Sequence, residues 1–384
     1  MASEGISRGR FLAAAGAAGV VAATGALPTA GAASAAGHRR PDRSARRRGG
    51  LTYRGVDYAV SDGETPATGW NPVRMRADLH AIQNDLHANS VSVFGDGVER
   101  LAATAHHAAD LGLHVWLQPR LGDVPEADIF DHLAETGRHA ERMRRHGARV
   151  HLSVGCEFVL FVPGIVPGAN AVERIENITK GNYDPEHLSR ELRRVIARAA
   201  EVGRSVFRGP LTYDGAHGDE VDWTLFDIVS VNYYEYHRDR AAYVRELSAY
   251  RRWGKPVAIS ECGTCTFEGA PEAGGMGWDV VDYGKTPPEI TGGLVRSERT
   301  QAAYLSDVMD VFESMGLYAA MVYEFVTPDA PHWPGDPLHD LDMASYSLVK
   351  TIRDDPADPE SDWHWEPKES FHALARRYGR AAAC

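Results

Sequence analysis

Two glutamates in this chain stand where packing gives them no role. Glu157 closes the run Val150-His-Leu-Ser-Val-Gly-Cys-Glu157, and Glu261 closes Pro256-Val-Ala-Ile-Ser-Glu261. Both runs are short and apolar and read as buried β-strands, so a carboxylate at the end of either carries a desolvation cost that its surroundings do not offset. If these strands are the fourth and seventh of a (β/α)8 barrel, both side chains open at one mouth, the face on which such barrels carry their chemistry. Two facing carboxyls can divide the labour of breaking a glycosidic bond. One keeps a proton for the leaving oxygen, and the other stays ionised and attacks the sugar.

The rest of the chain supplies the elements such a pair needs. From residue 51 onward, strand-like and helix-like patterns alternate. Strands are expected at 53–58, 90–94, 114–118, 150–156, 207–213, 227–233, 256–260 and 318–325, each short and rich in Val, Ile, Leu and aromatics. Amphipathic stretches lie between them at 73–86, 99–111, 126–146, 185–202, 240–253 and 297–315, with a last one at 366–378. Glycines at Asp110-Leu-Gly112 and Glu201-Val-Gly203 read as helix stops. Eight strands alternating with helices imply parallel βαβ units and a single (β/α)8 barrel. The competing open doubly wound sheet would carry a Gly-x-Gly-x-x-Gly turn after its first strand, where Tyr58-Ala-Val-Ser-Asp stands instead.

The chain has 384 residues, 43% hydrophobic and 24% charged, enough for one large core. Residues 1–50 hold eight Arg against Glu4 and Asp42, and the formal charge of the whole is −12, so residues 51–384 carry 33 basic against 51 acidic groups, net −18. An acidic body argues against a nucleic-acid partner. Arg8 and Arg10, an Ala/Gly/Val run and Ala33-Ser34-Ala35 make residues 1–35 an expected export signal, twin-arginine-like except for Gly9. Residues 36–50, with six Arg, read as a disordered basic linker, and 51–384 as the barrel domain. The expected location is therefore secreted or cell-surface, with no stable membrane insertion after the signal is removed. Cys262-Gly-Thr-Cys265 can close a small disulfide in an exported protein. No cofactor is expected, and no spacing of the seventeen histidines singles out a metal site.

Phe226-Asp-Ile-Val-Ser-Val-Asn-Tyr-Tyr234 resembles the sixth strand of the large clan of retaining (β/α)8 glycoside hydrolases that includes cellulases and β-galactosidases. Lys255-Pro-Val-Ala-Ile-Ser-Glu-Cys-Gly263 resembles its seventh strand, and Val154-Gly-Cys-Glu157 its fourth. The resemblance implies Glu261 as nucleophile, Glu157 as general acid/base and a sixth-strand tyrosine, Tyr233 or Tyr234, as the donor that keeps Glu261 ionised. It implies a carbohydrate substrate. Three departures stand out: Cys156 occupies the place of the clan's Asn, which contacts the sugar 2-hydroxyl; the second strand lacks an Arg; and Tyr323-Glu324-Phe325 replaces a common Trp. The chain also resembles secreted actinobacterial proteins labelled abortive infection proteins.

Further polar and aromatic residues fall at the same rim. Asp57 ends the first strand, Gln118 and Arg120 the third, Asn232 the sixth, and Tyr323 with Glu324 lies in the eighth. Two long connections, 263–296 and 326–365, carry Trp278, Tyr283, Trp333, Trp363 and Trp365, which suit stacking on a sugar ring. Cys156 and Cys262 read as packing residues. Two rivals remain: a non-catalytic barrel that binds a glycan or a partner protein, as in phage defence, and a metal-dependent hydrolase using Asp57, Asp214 and histidines.

Overall fold

The structure, a computed structural model, describes residues 50–382. The expected export signal and all but the last residue of the expected linker lie outside the described residues, as does Cys384. Eight parallel strands close into a barrel in strict sequence order, the last pairing with the first. They are β1 (Tyr53–Val60), β2 (Ser90–Gly95), β3 (His114–Pro119), β4 (Val150–Cys156), β5 (Leu211–Ala216), β6 (Val229–Asn232), β7 (Val257–Glu261) and β8 (Ala319–Val322). The fold is a single (β/α)8 barrel.

The covering helices are α1 (Pro72–Asn84), α2 (Val98–Asp110), α3 (Glu126–Arg145), α4 (Pro185–Val206), α5 (Arg240–Ser248), α6 (Glu298–Met315) and α7 (Glu369–Ala382). Several start where the sequence offers a cap or a proline. The Asn71 side chain accepts from the amides of Val73 and Arg74 ahead of α1, and Asp184 accepts from Glu186 and His187 ahead of α4. The buried face of α2, with Leu101, Ala102, Ala105 and Ala108, shows the spacing of a helix laid on a sheet. Between β5 and β6 the crossover is only a 3-10 turn, Trp223–Leu225.

Several boundaries move from the sequence reading, each for a physical reason. Helix α4 runs through Gly203 to Val206, and β5 begins at Leu211, not at 207. Gly203 is not a stop. A Cβ there would lie 2.8 Å from Val154 and 3.0 Å from Leu211, so the glycine lets the helix lie close against β4 and β5. Gly112, by contrast, does adopt the left-handed conformation expected of a stop, with φ of +85°. Strand β8 ends at Val322, which places Glu324 beyond the strand. The last helix starts late because Trp363–Pro367 pairs with Val349–Arg353 in an antiparallel hairpin. Two short helices after β4, Phe158–Phe161 and Ala171–Thr179, were not legible as elements.

Strict alternation breaks at two places that matter for the site. Between Ser153/Thr212 and Cys156/Asp214, β4 uses one residue more than β5, and between Val231/Ile259 and Asn232/Glu261, β7 uses one more than β6. Each irregularity is a β-bulge, which re-aims the side chains after it. The bulges bring Cys156 and Glu157 on β4, and Ser260 and Glu261 on β7, to one end of the barrel, whereas pure alternation would send one of each pair away.

At the opposite, amino-terminal end, the interior is plugged by Tyr53, His114, Trp116, His151 and Tyr318. The His114 and His151 rings lie 4.2 Å apart, Tyr53 stacks on His114 at 3.8 Å, and Trp116 meets His151 edge-on at 4.7 Å.

Candidate active site

Glu261 is held from three sides at the carboxyl end of the barrel. Arg120, at the end of β3, forms a fully buried ion pair with Oε1, the Tyr234 hydroxyl donates to Oε2 at 2.9 Å, and the Cys156 thiol lies 3.7 Å from Oε1. Burial raises its pKa, while the charge and hydrogen bond of Arg120 and the bond from Tyr234 pull it back. Glu157 is held on one oxygen only. Asn232 Nδ2 donates to Oε1 at 2.9 Å, and Oε2 is buried without a partner. Burial, then the charge of Glu261, push its pKa well above the ordinary glutamate value, with Asn232 opposing. Glu157 also sits in a left-handed conformation, φ 38°, which is costly for a residue with a Cβ.

Asn232 ties the two glutamates together. Its amide lies 3.3 Å from Cys156 Sγ, and Ser260 Oγ donates to its Oδ1 at 2.8 Å, fixing which face of the amide is the donor. Arg120 is fixed in turn: its Nε donates to Gln118 Oε1 at 2.7 Å, and Gln118 Nε2 donates to Asp214 Oδ2 at 2.5 Å. The guanidinium lies 4.2 Å from the Phe94 ring centre. Its positive charge acts on five buried carboxyls, Asp57, Glu157, Asp214, Glu261 and Glu324, and the pKa of every one is raised, burial being the first cause in each. One cation cannot compensate five anions in so dry a place, so each carboxyl of the cluster holds its proton more tightly than a free one does.

Other residues singled out in the sequence fall around this centre or away from it. Asp57 is buried within β1, three residues before its end, and feels the charge of Glu261. Tyr323, Glu324 and Trp278 line a narrow cleft of about 30 Å³, together with Tyr283, Asp329 and Tyr346. Tyr233 is a correction: its hydroxyl donates to Glu246 on α5 at 2.6 Å, outside the barrel, because neighbouring strand residues face opposite ways. The glutamate-facing tyrosine is Tyr234. Trp333 packs on His339, 5.4 Å away, and borders none of the described clefts. Cys262 and Cys265 are free and buried, so the small disulfide is absent. Among the described residues no group of three metal-ligating side chains gathers, and no helix is long and apolar enough to cross a membrane.

The cleft does not reach the glutamate pair. Both Glu157 and Glu261 are 0% exposed. The Tyr234 ring, bonded to Glu261, packs 5.6 Å from Tyr346 and 6.5 Å from Tyr323, both of which line the cleft. An aromatic layer thus separates the cleft from the pair, and Glu324 is the carboxyl of the cluster that borders the cleft. Sequence reasoning missed Ser260, whose bond orients Asn232, and the contact of the Cys156 thiol with Glu261, because both depend on the bulges.

No family model and no curated protein matches the chain. Solved structures do share its fold. A GH113 β-1,4-mannanase aligns over 86% of this chain and 99% of its own, with a TM-score of 0.54 and 13% identity. The GH113 β-mannanase AaManA from Alicyclobacillus acidocaldarius aligns over 86% and 98%, with a TM-score of 0.51 and 16% identity. The β-glucosidase 1317 gives 85% and 98%, with a TM-score of 0.52 and 14% identity. At these identities the likeness is one of fold: this chain has the barrel on which those glycoside hydrolases are built.

Proposed function

We propose that the chain is an exported glycoside hydrolase that cleaves a β-linked sugar by double displacement. The observation that carries the reading is the unequal treatment of two glutamates at the ends of β4 and β7. Glu261 has a donor on each oxygen and a guanidinium beside it, which favours the ionised form. Glu157 has one neutral donor and a bare second oxygen, which favours the protonated form. Two carboxyls with environments that push them apart are the acid and nucleophile a retaining glycosidase needs. In this reading Glu261 attacks the anomeric carbon as Glu157 protonates the leaving oxygen, and Glu157 then takes a proton from the water that releases the sugar. Trp278 and Tyr323 of the cleft stack on the sugar, and the layer of Tyr234, Tyr323 and Tyr346 parts to admit it. The fold neighbours act on mannans and glucosides, so those sugars head the list of substrates.

The test is mass spectrometry after incubation with 2-deoxy-2-fluoro glycosyl fluorides of the manno, gluco and glucurono series. The expected result is a covalent adduct on Glu261, absent in Glu261→Gln. A folded protein that hydrolyses an aryl glycoside equally well as wild type and as Glu261→Gln refutes the assignment.

One observation favours the second reading, a barrel that binds a glycan or partner protein without cleaving it. Both glutamates are sealed from the cleft, and Cys156, in the place of the clan's 2-hydroxyl-binding Asn, spends its contact on Glu261. Retention of an oligosaccharide on the folded protein, with neither adduct nor hydrolysis, supports this reading.

A further inference from the structure

Glu324 stands apart from the Glu157–Glu261 pair and has a connection that neither of them has. Its Oε1 accepts from the Thr327 hydroxyl at 2.9 Å. Thr327 Oγ1 in turn lies 3.2 Å from Ser345 Oγ, and Ser345 Oγ lies 2.5 Å from Ser347 Oγ. Lys368 Nζ reaches Ser347 Oγ at 3.3 Å and pairs with Asp342 Oδ1 at 2.8 Å. Lys368 and Asp342 are both 0% exposed. An unbroken file of three hydroxyls therefore joins a buried ammonium to a cleft carboxyl. At the cleft end, Glu324 Oε2 is buried and unpartnered, on a residue that lines the cavity.

We propose that Glu324 is a proton-exchanging acid of the cleft, served through Thr327, Ser345 and Ser347 by the Lys368–Asp342 pair, and that it acts on a polar ligand bearing a hydroxyl or an amine. The proposal does not rest on the glycosidase reading. The transfer balances without a co-reactant. The Lys368 ammonium gives a proton to Ser347 Oγ, whose own proton passes to Ser345 Oγ, whose own passes to Thr327 Oγ1, whose own passes to Glu324 Oε1. Each O–H bond broken is replaced by one formed, and the net change is a neutral Lys368 amine and a Glu324 carboxylic acid. A half-turn of the carboxyl then presents the new O–H to the cleft. The end groups are brought toward each other in proton affinity: burial lowers the Lys368 pKa despite Asp342, and burial raises that of Glu324 to about 8. Ser347 Oγ also lies 2.8 Å from the Val349 carbonyl, so rotation of this hydroxyl between the carbonyl and Ser345 opens and closes the file.

The test follows the Lys368 ammonium protons by NMR in full-length protein labelled with 15N-lysine, which is tractable because the chain contains five lysines. In Ser345→Ala their exchange with water is expected to slow by about tenfold or more, the factor matching one lost hydrogen bond. The Nζ shift should stay at its wild-type position, since the Asp342 pair is untouched, and Ser345→Thr should restore fast exchange. Thr327→Val tests the file at a second link and carries the result if Ser345→Ala does not fold. Equal exchange rates in wild type and the folded broken-file variants overturn the proposal, because Lys368 then reaches water by local opening. Neither outcome bears on the adduct at Glu261.

Discussion

Replacing His151 by Phe should make the protein more tolerant of acid, by an amount that can be worked out. His151 sits in the aromatic plug at the foot of the barrel, and burial lowers its pKa from 6.5 to about 3, with Asp227 opposing. A group whose pKa is depressed by folding is neutral in the native state while the unfolded state takes up a proton. The stability it supports is therefore complete above pH 6.5 and falls as the pH is lowered toward the folded value. At 1.36 kcal/mol per pH unit, lowering the pH from 7.5 to 5 should cost wild type about 2 kcal/mol through this residue alone. Phe keeps a flat ring between Trp116 and His114, its larger size costs the same at both pH values, and it has no proton to gain. The measurement is urea unfolding of both proteins at pH 7.5 and 5.0, read as the change with pH in their stability difference. The carboxyls at the other end titrate alike in both proteins and cancel, whereas His114, whose pKa burial and then His151 lower, is relieved of one of those causes in the variant, so the difference reads the histidine pair with His151 as its larger part. Parallel pH profiles for wild type and variant would refute the reasoning.

Two further outcomes follow from close packing and buried charge. Arg120→Met leaves Glu261 without its cation, and a broken buried pair typically costs about 3–5 kcal/mol. Chemical denaturation should show a loss of that size at pH 7.5 that shrinks toward pH 5, as Glu261 in the variant takes a proton. Gly203→Ala should destabilise by about 1–3 kcal/mol despite the better helix propensity of Ala, because the new methyl meets Val154 and Leu211. Thermal melts decide the sign, and a stabilised variant would mean that α4 can lift off the barrel at no cost.

Much of this architecture was readable from the sequence, and the parts that were not share a cause. The order and type of the barrel strands follow from apolar runs punctuated by amphipathic ones, since each parallel strand must be buried on both faces. The strand-end positions of Glu157 and Glu261 came from the same pattern. Period-two alternation could not announce the bulges in β4 and β7, because an inserted residue leaves the local composition unchanged. That is why Cys156 reads as a packing residue in the sequence. The stop expected at Gly203 failed because a glycine needed for close approach and a glycine needed for a left-handed turn look alike in sequence. Thr327, Ser345, Ser347 and Lys368 gave no signal at all, since they meet only through the folding of the long connection after β8.

The two bulges also separate what keeps the barrel standing from what keeps its mouth furnished. A chain lacking Ser260 would regain regular pairing between β6 and β7, and the closed ring of strands would lose no register outside that pair. The carboxyl now at Glu261 would stay opposite Asn232 and face the barrel interior, but the hydroxyl that orients the Asn232 amide would be gone. A single-codon deletion could therefore free the amide that ties the two glutamates together while leaving a barrel that any measure of overall shape would still align with the mannanases and the glucosidase. For descendants of such a chain, outline and chemistry are inherited separately.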